Sequence, residues 1–175
     1  MRGLRLIAAG IALVGVFADQ ATKTLALSQL DPARPVSLLG GLLTLQLIRN
    51  PGAAFSMGEN FTVLLSLIAV AAAAGVVGWL LPRVRHTGWA VATGCLLAGI
   101  VGNLIDRLFR EPGPFRGHVI DFLQLPHFAI FNVADMFITA AALIVLWLTL
   151  VTKVTVDGTS VMDSQKSPAE SGVDE

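Results

Sequence analysis

The fold is decided by residues 61–81, FTVLLSLIAVAAAAGVVGWLL, which contain no charged side chain. A helix needs roughly 20 apolar residues to cross a hydrocarbon core about 30 Å thick. Three other apolar stretches of similar length lie at residues 6–27, 89–108 and 132–151. The sequence therefore predicts an all-α membrane protein with four transmembrane helices.

The composition supports a lipid environment. Hydrophobic residues make up 54% of the chain and charged residues only 14%, whereas soluble domains carry about 25% charged residues. The formal net charge is zero, so the chain lacks a basic surface for nucleic acid and we expect no such partner. The single cysteine, Cys95, cannot form an intrachain disulfide.

The first apolar stretch has two interpretations. Arg2 and Arg5 precede the apolar residues 6–17, an arrangement typical of a secretory signal peptide. No clear small-x-small cleavage site follows, and three further apolar stretches come later in the chain. We therefore expect an uncleaved first membrane helix.

Residues 28–60 differ from the helical stretches because they contain several prolines and glycines. Within them, residues 42–48 predict a strand, and Asn50-Pro51-Gly52 predicts the turn that follows it. We expect a small extracytoplasmic β-element that packs on the helix bundle.

The domain organisation follows from these stretches. Residues 1–152 are expected to form one membrane domain, and the polar residues 153–175 a disordered cytoplasmic tail. Arg83 and Arg85 lie in the short turn after the second helix, and positive charge in short loops indicates the cytoplasmic side. The sequence therefore predicts cytoplasmic termini.

Polar residues of the apolar stretches gather at one membrane face. Consecutive helices run in opposite directions, so the ends of the first and third helices and the starts of the second and fourth share a face. Buried ionisable residues in such segments are candidates for function. The residues at this face are Asp19, Lys23, Asn50, Asn103, Asp106, Arg107, Asn132 and Asp135.

Part of this set has a structural interpretation. Asp19 and Lys23 are four residues apart, so they can pair on one side of a helix. Pairing lowers the free-energy cost of burying each charge. Asp106 beside Arg107 fits either the capping of a helix end or a role in a site.

Asp121 and Asp135 are different, because each lies among apolar neighbours without a Lys or Arg within four positions. Two carboxylates held close together cannot both ionise easily, so they share a proton. One carboxylate can then activate a water while the protonated carboxyl polarises a carbonyl. If the chain brings the two residues together, they can hydrolyse a peptide bond.

Other interpretations remain open at this point. His118 and His127 lie near Asp121, and His with Asp can bind zinc, although no HExxH pattern occurs. We expect no metal and no other cofactor. The buried polar residues could also form an ion path in a small transporter, although residues 61–81 carry no charge. A non-catalytic membrane scaffold is a third possibility.

Five short motifs resemble those of the lipoprotein signal peptidase (signal peptidase II) family and occur in the family's order. They are DQATK at 19–23, NPGAAFS at 50–56, GNLIDR at 102–107, GHVIDF at 117–122 and FNVAD at 131–135. The resemblance implies a four-helix membrane fold with a small extracytoplasmic β-element.

The resemblance also implies roles for individual residues. It places a catalytic pair at Asp121 and Asp135. It implies that four further residues line or support the site: Asn50, Asn103, Arg107 and Asn132. Asp19, Lys23 and Asp106 match motif positions that look structural. We expect alanine at Arg34 or Arg110 to have little effect on activity.

The function implied by the resemblance is that of a membrane-embedded aspartic endopeptidase. Its substrates would be bacterial prolipoproteins whose lipobox cysteine carries diacylglycerol, with cleavage just before that cysteine. The expected location is the bacterial cytoplasmic membrane, with the active site at the extracytoplasmic face. The expected partners are membrane lipids and globomycin-like inhibitors, and we expect a monomer.

Overall fold

The computed structural model describes residues 2–52 and 59–159. Within these residues, four helices are long and apolar enough to cross a membrane. They are α1, Arg2–Gln29; α2, Glu59–Gly75, whose apolar span continues to Arg83; α3, Thr87–Phe109; and α4, Val133–Leu146, which continues to Val151. The predicted fold class, an all-α membrane protein with a small β-element, is confirmed.

Helix α3 lies at the centre of the bundle. In the most apolar 18 residues of α3, 56% of the residues are buried inside the protein, whereas the corresponding shares for α1, α2 and α4 are 17%, 11% and 17%. A Cβ atom at Gly94 would lie 2.7 Å from the carbonyl oxygen of Ala8, and one at Gly99 would lie 2.5 Å from that of Ala134. These glycines therefore let the backbones of α1 and α4 approach α3 closely.

The large apolar side chains of the bundle point outward. Leu13, Phe17 and Leu143 are more than half exposed, whereas Ala8, Ala98 and Ala134 are fully buried. A soluble protein buries its large apolar residues. The reversed pattern fits helices that are surrounded by lipid.

A three-stranded antiparallel sheet covers one end of the bundle. Its strands are β1, Val36–Leu38, β2, Leu43–Asn50, and β3, Val119–Gln124, in the order β1-β2-β3. Strand β2 matches the strand predicted at residues 42–48. The observed sheet is larger than the β-element expected at residues 28–60. Its third strand, β3, comes from the connection between α3 and α4. Asp121 lies on β3, which pairs with β2.

The sheet is anchored to the end of α1. Leu47 of β2 and Ile120 and Phe122 of β3 pack in one apolar cluster with Ala26 of α1. Successive side chains of a strand point to opposite faces. Because Ile120 and Phe122 face α1, Asp121 between them points to the other side, towards the ends of α3 and α4.

The segment after α4 differs from the expected disordered tail. The Arg85 backbone N–H donates to the Val156 carbonyl at 2.9 Å, and the Trp89 indole N–H donates to the Val154 carbonyl at 2.9 Å. Residues 153–159 therefore pack against the turn between α2 and α3. Their bonds use backbone carbonyls, which every sequence provides, so composition does not predict them. Residues 160–175 lie outside the described residues.

Candidate active site

Every residue predicted for the site lies where the C-terminal ends of α1 and α3 meet the N-terminus of α4 and the sheet. Their hydrogen bonds and ion pairs form two neighbouring groups. We call Asp121 and Asp135 the aspartate pair. The buried ion layer consists of Asp19, Gln20, Lys23, Asp106 and Arg110.

Asp121 is held by two amide side chains. Its Oδ2 accepts a hydrogen bond from Asn50 Nδ2 at 2.8 Å, and its Oδ1 accepts one from Asn132 Nδ2 at 2.6 Å. Asn50 ends strand β2, and its own Oδ1 accepts from the Gly52 backbone N–H at 2.8 Å. The turn predicted at Asn50 therefore orients this side chain for its contact with Asp121.

The ionisation of Asp121 is strongly affected by its surroundings. Its side chain is only 2% exposed. Burial raises the pKa of Asp121 from 3.8 to about 6, opposed by the hydrogen bonds from Asn50 and Asn132 and increased by the nearby charge of Asp135. A carboxyl group in this range can gain or lose a proton close to neutral pH.

Asp135 lies in the first turn of α4 and forms a capping box with Asn132. The Asn132 backbone N–H donates to Asp135 Oδ2 at 3.2 Å, and the Asp135 backbone N–H donates to Asn132 Oδ1 at 3.0 Å. Asn103 Nδ2 donates to the other carboxyl oxygen, Oδ1, at 2.8 Å. Asn132 therefore contacts both members of the aspartate pair.

Each of the four carboxyl oxygens of the pair accepts a hydrogen bond from an amide N–H. A carboxylate oxygen has two acceptor positions. Among the described residues, one position on each oxygen is used by the protein, and the second is available for a proton, a water or a substrate. The amides fix the two carboxyl groups without fixing their charge.

The buried ion layer lies next to the pair. Lys23 Nζ is 2.8 Å from Asp19 Oδ2 and 2.8 Å from Asp106 Oδ2, and all three side chains are fully buried. Asp19 Oδ1 accepts from the Ala134 backbone N–H at 2.8 Å, and Asp106 Oδ2 accepts from the Ile120 backbone N–H at 3.1 Å. The layer thus joins α1 and α3 to the start of α4 and to β3.

Two members of the buried ion layer were not predicted. Arg110 Nε lies 2.6 Å from Asp106 Oδ1, and Gln20 Nε2 donates to Asp19 Oδ2 at 3.1 Å and to the Gly102 carbonyl at 3.0 Å. Arg110 thus contacts the buried ion layer, and the small effect of Arg110→Ala on activity stays a prediction. The four-residue spacing from Asp106 to Arg110 was the available signal. Gln20 belongs to the DQATK motif, which was the available signal for it, although no role was assigned to its side chain.

Arg107 and the histidines complete the region. The Arg107 guanidinium donates to the Asn103 carbonyl at 3.4 Å, and its charge interacts with those of Asp135 and Asp121. His118 is half-buried and His127 is exposed. In the part of the chain that the structure describes, no group of three His, Cys, Asp or Glu side chains is placed to hold a metal ion.

Comparison with known proteins identifies the family. The family model described as signal peptidase (SPase) II matches residues 11–151. The chain belongs to the signal peptidase II family. This membership confirms the resemblance seen in the five motifs and the predicted enzyme class, a peptidase.

Relatives within the signal peptidase II family cover most of the chain. The lipoprotein signal peptidase of Leifsonia xyli subsp. xyli is 50% identical over 149 residues, which are 85% of this chain and 68% of that protein. The lipoprotein signal peptidase of Mycolicibacterium smegmatis is 43% identical over 149 residues, which are 85% of this chain and 63% of that protein. The lipoprotein signal peptidase of Rhodococcus jostii is 45% identical over 147 residues, which are 84% of this chain and 74% of that protein. The chain thus spans between 63% and 74% of the length of these relatives.

Solved structures agree with this family membership at the level of the fold. One bacterial membrane enzyme, solved by the in meso method at 1.9 Å, has a TM-score of 0.73 and 25% identity over 82% of this chain and 92% of its own. A second bacterial membrane enzyme, solved at 2.3 Å, has a TM-score of 0.72 and 24% identity over 83% and 88%.

Proposed function

We propose that this peptidase removes signal peptides from bacterial prolipoproteins whose lipobox cysteine carries diacylglycerol, with Asp121 and Asp135 as the catalytic residues. Cleavage falls just before the lipidated cysteine. The observation that carries the proposal is the amide-held aspartate pair. Its two carboxyl groups are joined through Asn132 and keep free acceptor positions.

The chemistry needs one proton shared by the pair. The ionised carboxylate takes a proton from a water, whose oxygen attacks the carbonyl carbon of the scissile bond, while the protonated carboxyl gives its proton to the carbonyl oxygen. The tetrahedral intermediate then loses its C–N bond as the first carboxyl protonates the leaving nitrogen. The second carboxyl takes back the proton from the oxygen, so the pair again holds one proton.

The residues around the pair have supporting roles in this proposal. Asn50, Asn103 and Asn132 orient the two carboxyl groups by the hydrogen bonds described above. Arg107 is charged at every physiological pH and offers several donors in a fixed plane. Its charge interacts with both members of the pair. We assign it to a substrate carbonyl oxygen, where negative charge develops during attack.

An apolar cavity beside Asp135 supports the proposal that the substrate is lipidated. The cavity has a volume of about 640 Å³ and lies between α4 and the loop before it. Its lining includes Phe128, Phe131, Met136 and Leu143. From Asp135 to Leu143 the helix rises about 12 Å, at 1.5 Å per residue. An acyl chain attached to the residue after the scissile bond can lie along this wall.

The proposed location is the bacterial cytoplasmic membrane, with both termini in the cytoplasm and the active site at the extracytoplasmic face. Arg83 and Arg85 at the turn between α2 and α3 support this orientation. A membrane-impermeant thiol reagent should label Cys at position 34, but not at position 87, in intact cells that express a Cys95→Ala background. The reverse pattern would overturn the orientation.

Further partners belong to the same proposal. Membrane lipids contact the exposed leucines of the helices, and globomycin-like inhibitors would compete for the aspartate pair. We propose a monomer, because one chain contains both carboxyl groups and the residues that hold them.

The central experiment compares two substrates with the purified chain in lipid nanodiscs. A prolipoprotein with diacylglyceryl-cysteine should be cleaved just before that cysteine, as mass spectrometry would show, whereas the unmodified precursor should not be cleaved. Excess chelator should leave the rate unchanged. Chelator-sensitive cleavage that zinc restores would replace the aspartic mechanism with a metal-dependent one, and equal cleavage of both substrates would remove the lipid requirement.

The cavity is tested separately. Ala140 lines the cavity, and Ala140→Trp should fill it. We expect KM for the lipidated substrate to rise about tenfold, the loss of affinity that follows when one to two methylenes of apolar contact are removed. Leu146→Trp places the same side chain on the exposed surface of the same helix and serves as the matched control. Equal kinetics for the two variants would place the acyl chains elsewhere.

A further inference from the structure

Asn103 connects the buried ion layer to the aspartate pair through both ends of its amide group. Its Oδ1 accepts hydrogen bonds from Lys23 Nζ at 3.0 Å and from Asn132 Nδ2 at 3.0 Å. Its Nδ2 donates to Asp135 Oδ1 at 2.8 Å. One side chain of α3 thus separates a fully buried lysine from a reacting carboxyl group by a single amide.

All three N–H groups of Lys23 have partners in this arrangement. Two point to Asp19 and Asp106 at ion-pair distance, and the third points to Asn103. An ammonium group has three donors and no acceptor. The ion pairs with two buried carboxylates account for two of these donors. The third is directed at the active site.

The donor-only character of Lys23 determines which way the Asn103 amide faces. An amide can rotate by half a turn and exchange its oxygen and nitrogen. While Asp135 is ionised, it requires the Asn103 nitrogen. When Asp135 is protonated, it could instead donate its proton to a rotated Asn103 oxygen, which would turn that proton away from the substrate. Lys23 opposes this rotation because the NH₂ group would then face an ammonium group.

We propose that Lys23 is a positioning residue of the active site, which acts through Asn103 to keep that amide a donor to Asp135 in both protonation states of the pair. The proton shared by the pair therefore stays on the side that faces the substrate. This inference rests on the proposed catalytic role of Asp121 and Asp135. It assigns Lys23 a part in the reaction beyond the ion pairing that its sequence position suggested.

The test needs a variant that removes Lys23 without leaving an unpaired buried charge. Lys23→Met combined with Asp19→Asn removes one charge of each sign and leaves Asp106 with Arg110. Asn at position 19 keeps an oxygen for the Ala134 backbone N–H. Asp19→Asn alone is the matched control. Lys23→Leu with Asp19→Asn, again compared with Asp19→Asn alone, provides a second route if the Lys23→Met variant folds poorly, and it too leaves Asp106 with Arg110.

The expected result is a loss in kcat of about a hundredfold for the Lys23→Met/Asp19→Asn variant, the size of a misplaced reacting group. Asp19→Asn alone should lose less than about threefold in kcat, the size of one net hydrogen bond, because Lys23 keeps its contacts with Asp106 and Asn103. Thermal unfolding in nanodiscs checks that each variant is folded. A kcat of the double variant equal to that of its control overturns the proposal.

The pH profile of kcat separates positioning from a structural role. Asp121 is faced by Lys23, Arg107 and Asp135, together with the amides of Asn50 and Asn132, and the charge of Lys23 lowers its pKa. Loss of Lys23 should therefore move the profile to higher pH. A lower kcat with an unmoved profile would mean that Lys23 only supports the fold.

The catalytic assignment is checked in the same assay by Asp121→Asn. If that variant cleaves the lipidated substrate normally, the proposed function fails before Lys23 is considered. If it is inactive and the Lys23 variants behave like their controls, only the inference about Lys23 fails.

Discussion

The aspartate pair and the buried ion layer contain the same kind of residue in opposite surroundings. Asp19 and Asp106 each contact the ammonium group of Lys23 at 2.8 Å and are fully buried. Asp121 and Asp135 have no cation at ion-pair distance among the described residues, and they accept hydrogen bonds from amide groups. Cations hold the first two carboxylates, and neutral donors hold the second two.

This difference separates stability from chemistry. A cation beside a buried carboxylate favours its charged form, because the positive charge attracts the carboxylate. An amide donor orients a carboxyl group and leaves its proton free to come and go. The protein therefore uses Lys and Arg where the charge must persist, and Asn where the charge must change. The predictions below test that division.

The largest effect is expected in the aspartate pair. Asp121→Asn or Asp135→Asn should lower cleavage about a thousandfold or more, the upper range for loss of general acid–base catalysis, because each variant removes a titratable group. Both variants should remain folded and inserted. The measurement is the cleavage rate at saturating lipidated substrate, and near-normal turnover of either variant would remove that residue from the catalytic pair.

The second effect concerns the buried ion layer. Asp106→Asn should lower the free energy of unfolding by about 3–5 kcal/mol, because it leaves Lys23 with one buried counter-charge fewer. Denaturant unfolding in detergent would measure it, with Asp135→Asn as the matched control. If both variants lost equal stability, the two groups would not differ as described.

The third prediction compares three arginines. Arg107→Ala should lower turnover by about a hundredfold through misplaced reacting atoms. Arg110→Ala should act mainly on stability, since its guanidinium contacts Asp106 at 2.6 Å. The Arg34 side chain is 87% exposed, and its contact with Asp31 is long, at 3.8 Å. Arg34→Ala should therefore change neither turnover nor stability. Equal losses of turnover for all three would argue against a specific role of Arg107.

The smallest effect is a pH dependence of stability. The folded pKa of Asp121 is about 6, above the ordinary 3.8, so between these values the folded protein binds more protons than the unfolded chain. Stability should therefore fall by about 2–3 kcal/mol as pH rises through this window. Asp121→Asn should lack this contribution. The measurement is the thermal midpoint of the unmodified protein and of Asp121→Asn at pH 4.5 and at pH 7. Equal changes of the midpoint in the two proteins would contradict the prediction.

Local patterns predicted much of this molecule. Hydropathy summed over about 20 residues is sufficient to find spanning helices, and residues 61–81 show this most clearly. Alternating helix direction predicted that Asp19, Asn103 and Asp135 would share one face. These features depend on composition within a single segment or on the order of segments, so one sequence contains them.

The partners of each polar side chain were decided only by tertiary packing. Asn50 and Asp121 are 71 positions apart, Lys23 and Asn103 are 80 apart, and Gln20 and Arg110 are 90 apart. Strand β3 likewise exists because β2 supplies its hydrogen bonds. A hydrogen bond needs donor and acceptor within about 3 Å and correctly oriented. Such proximity is a property of how the helices and strands pack, whereas the tendency to enter a membrane is a property of each segment alone.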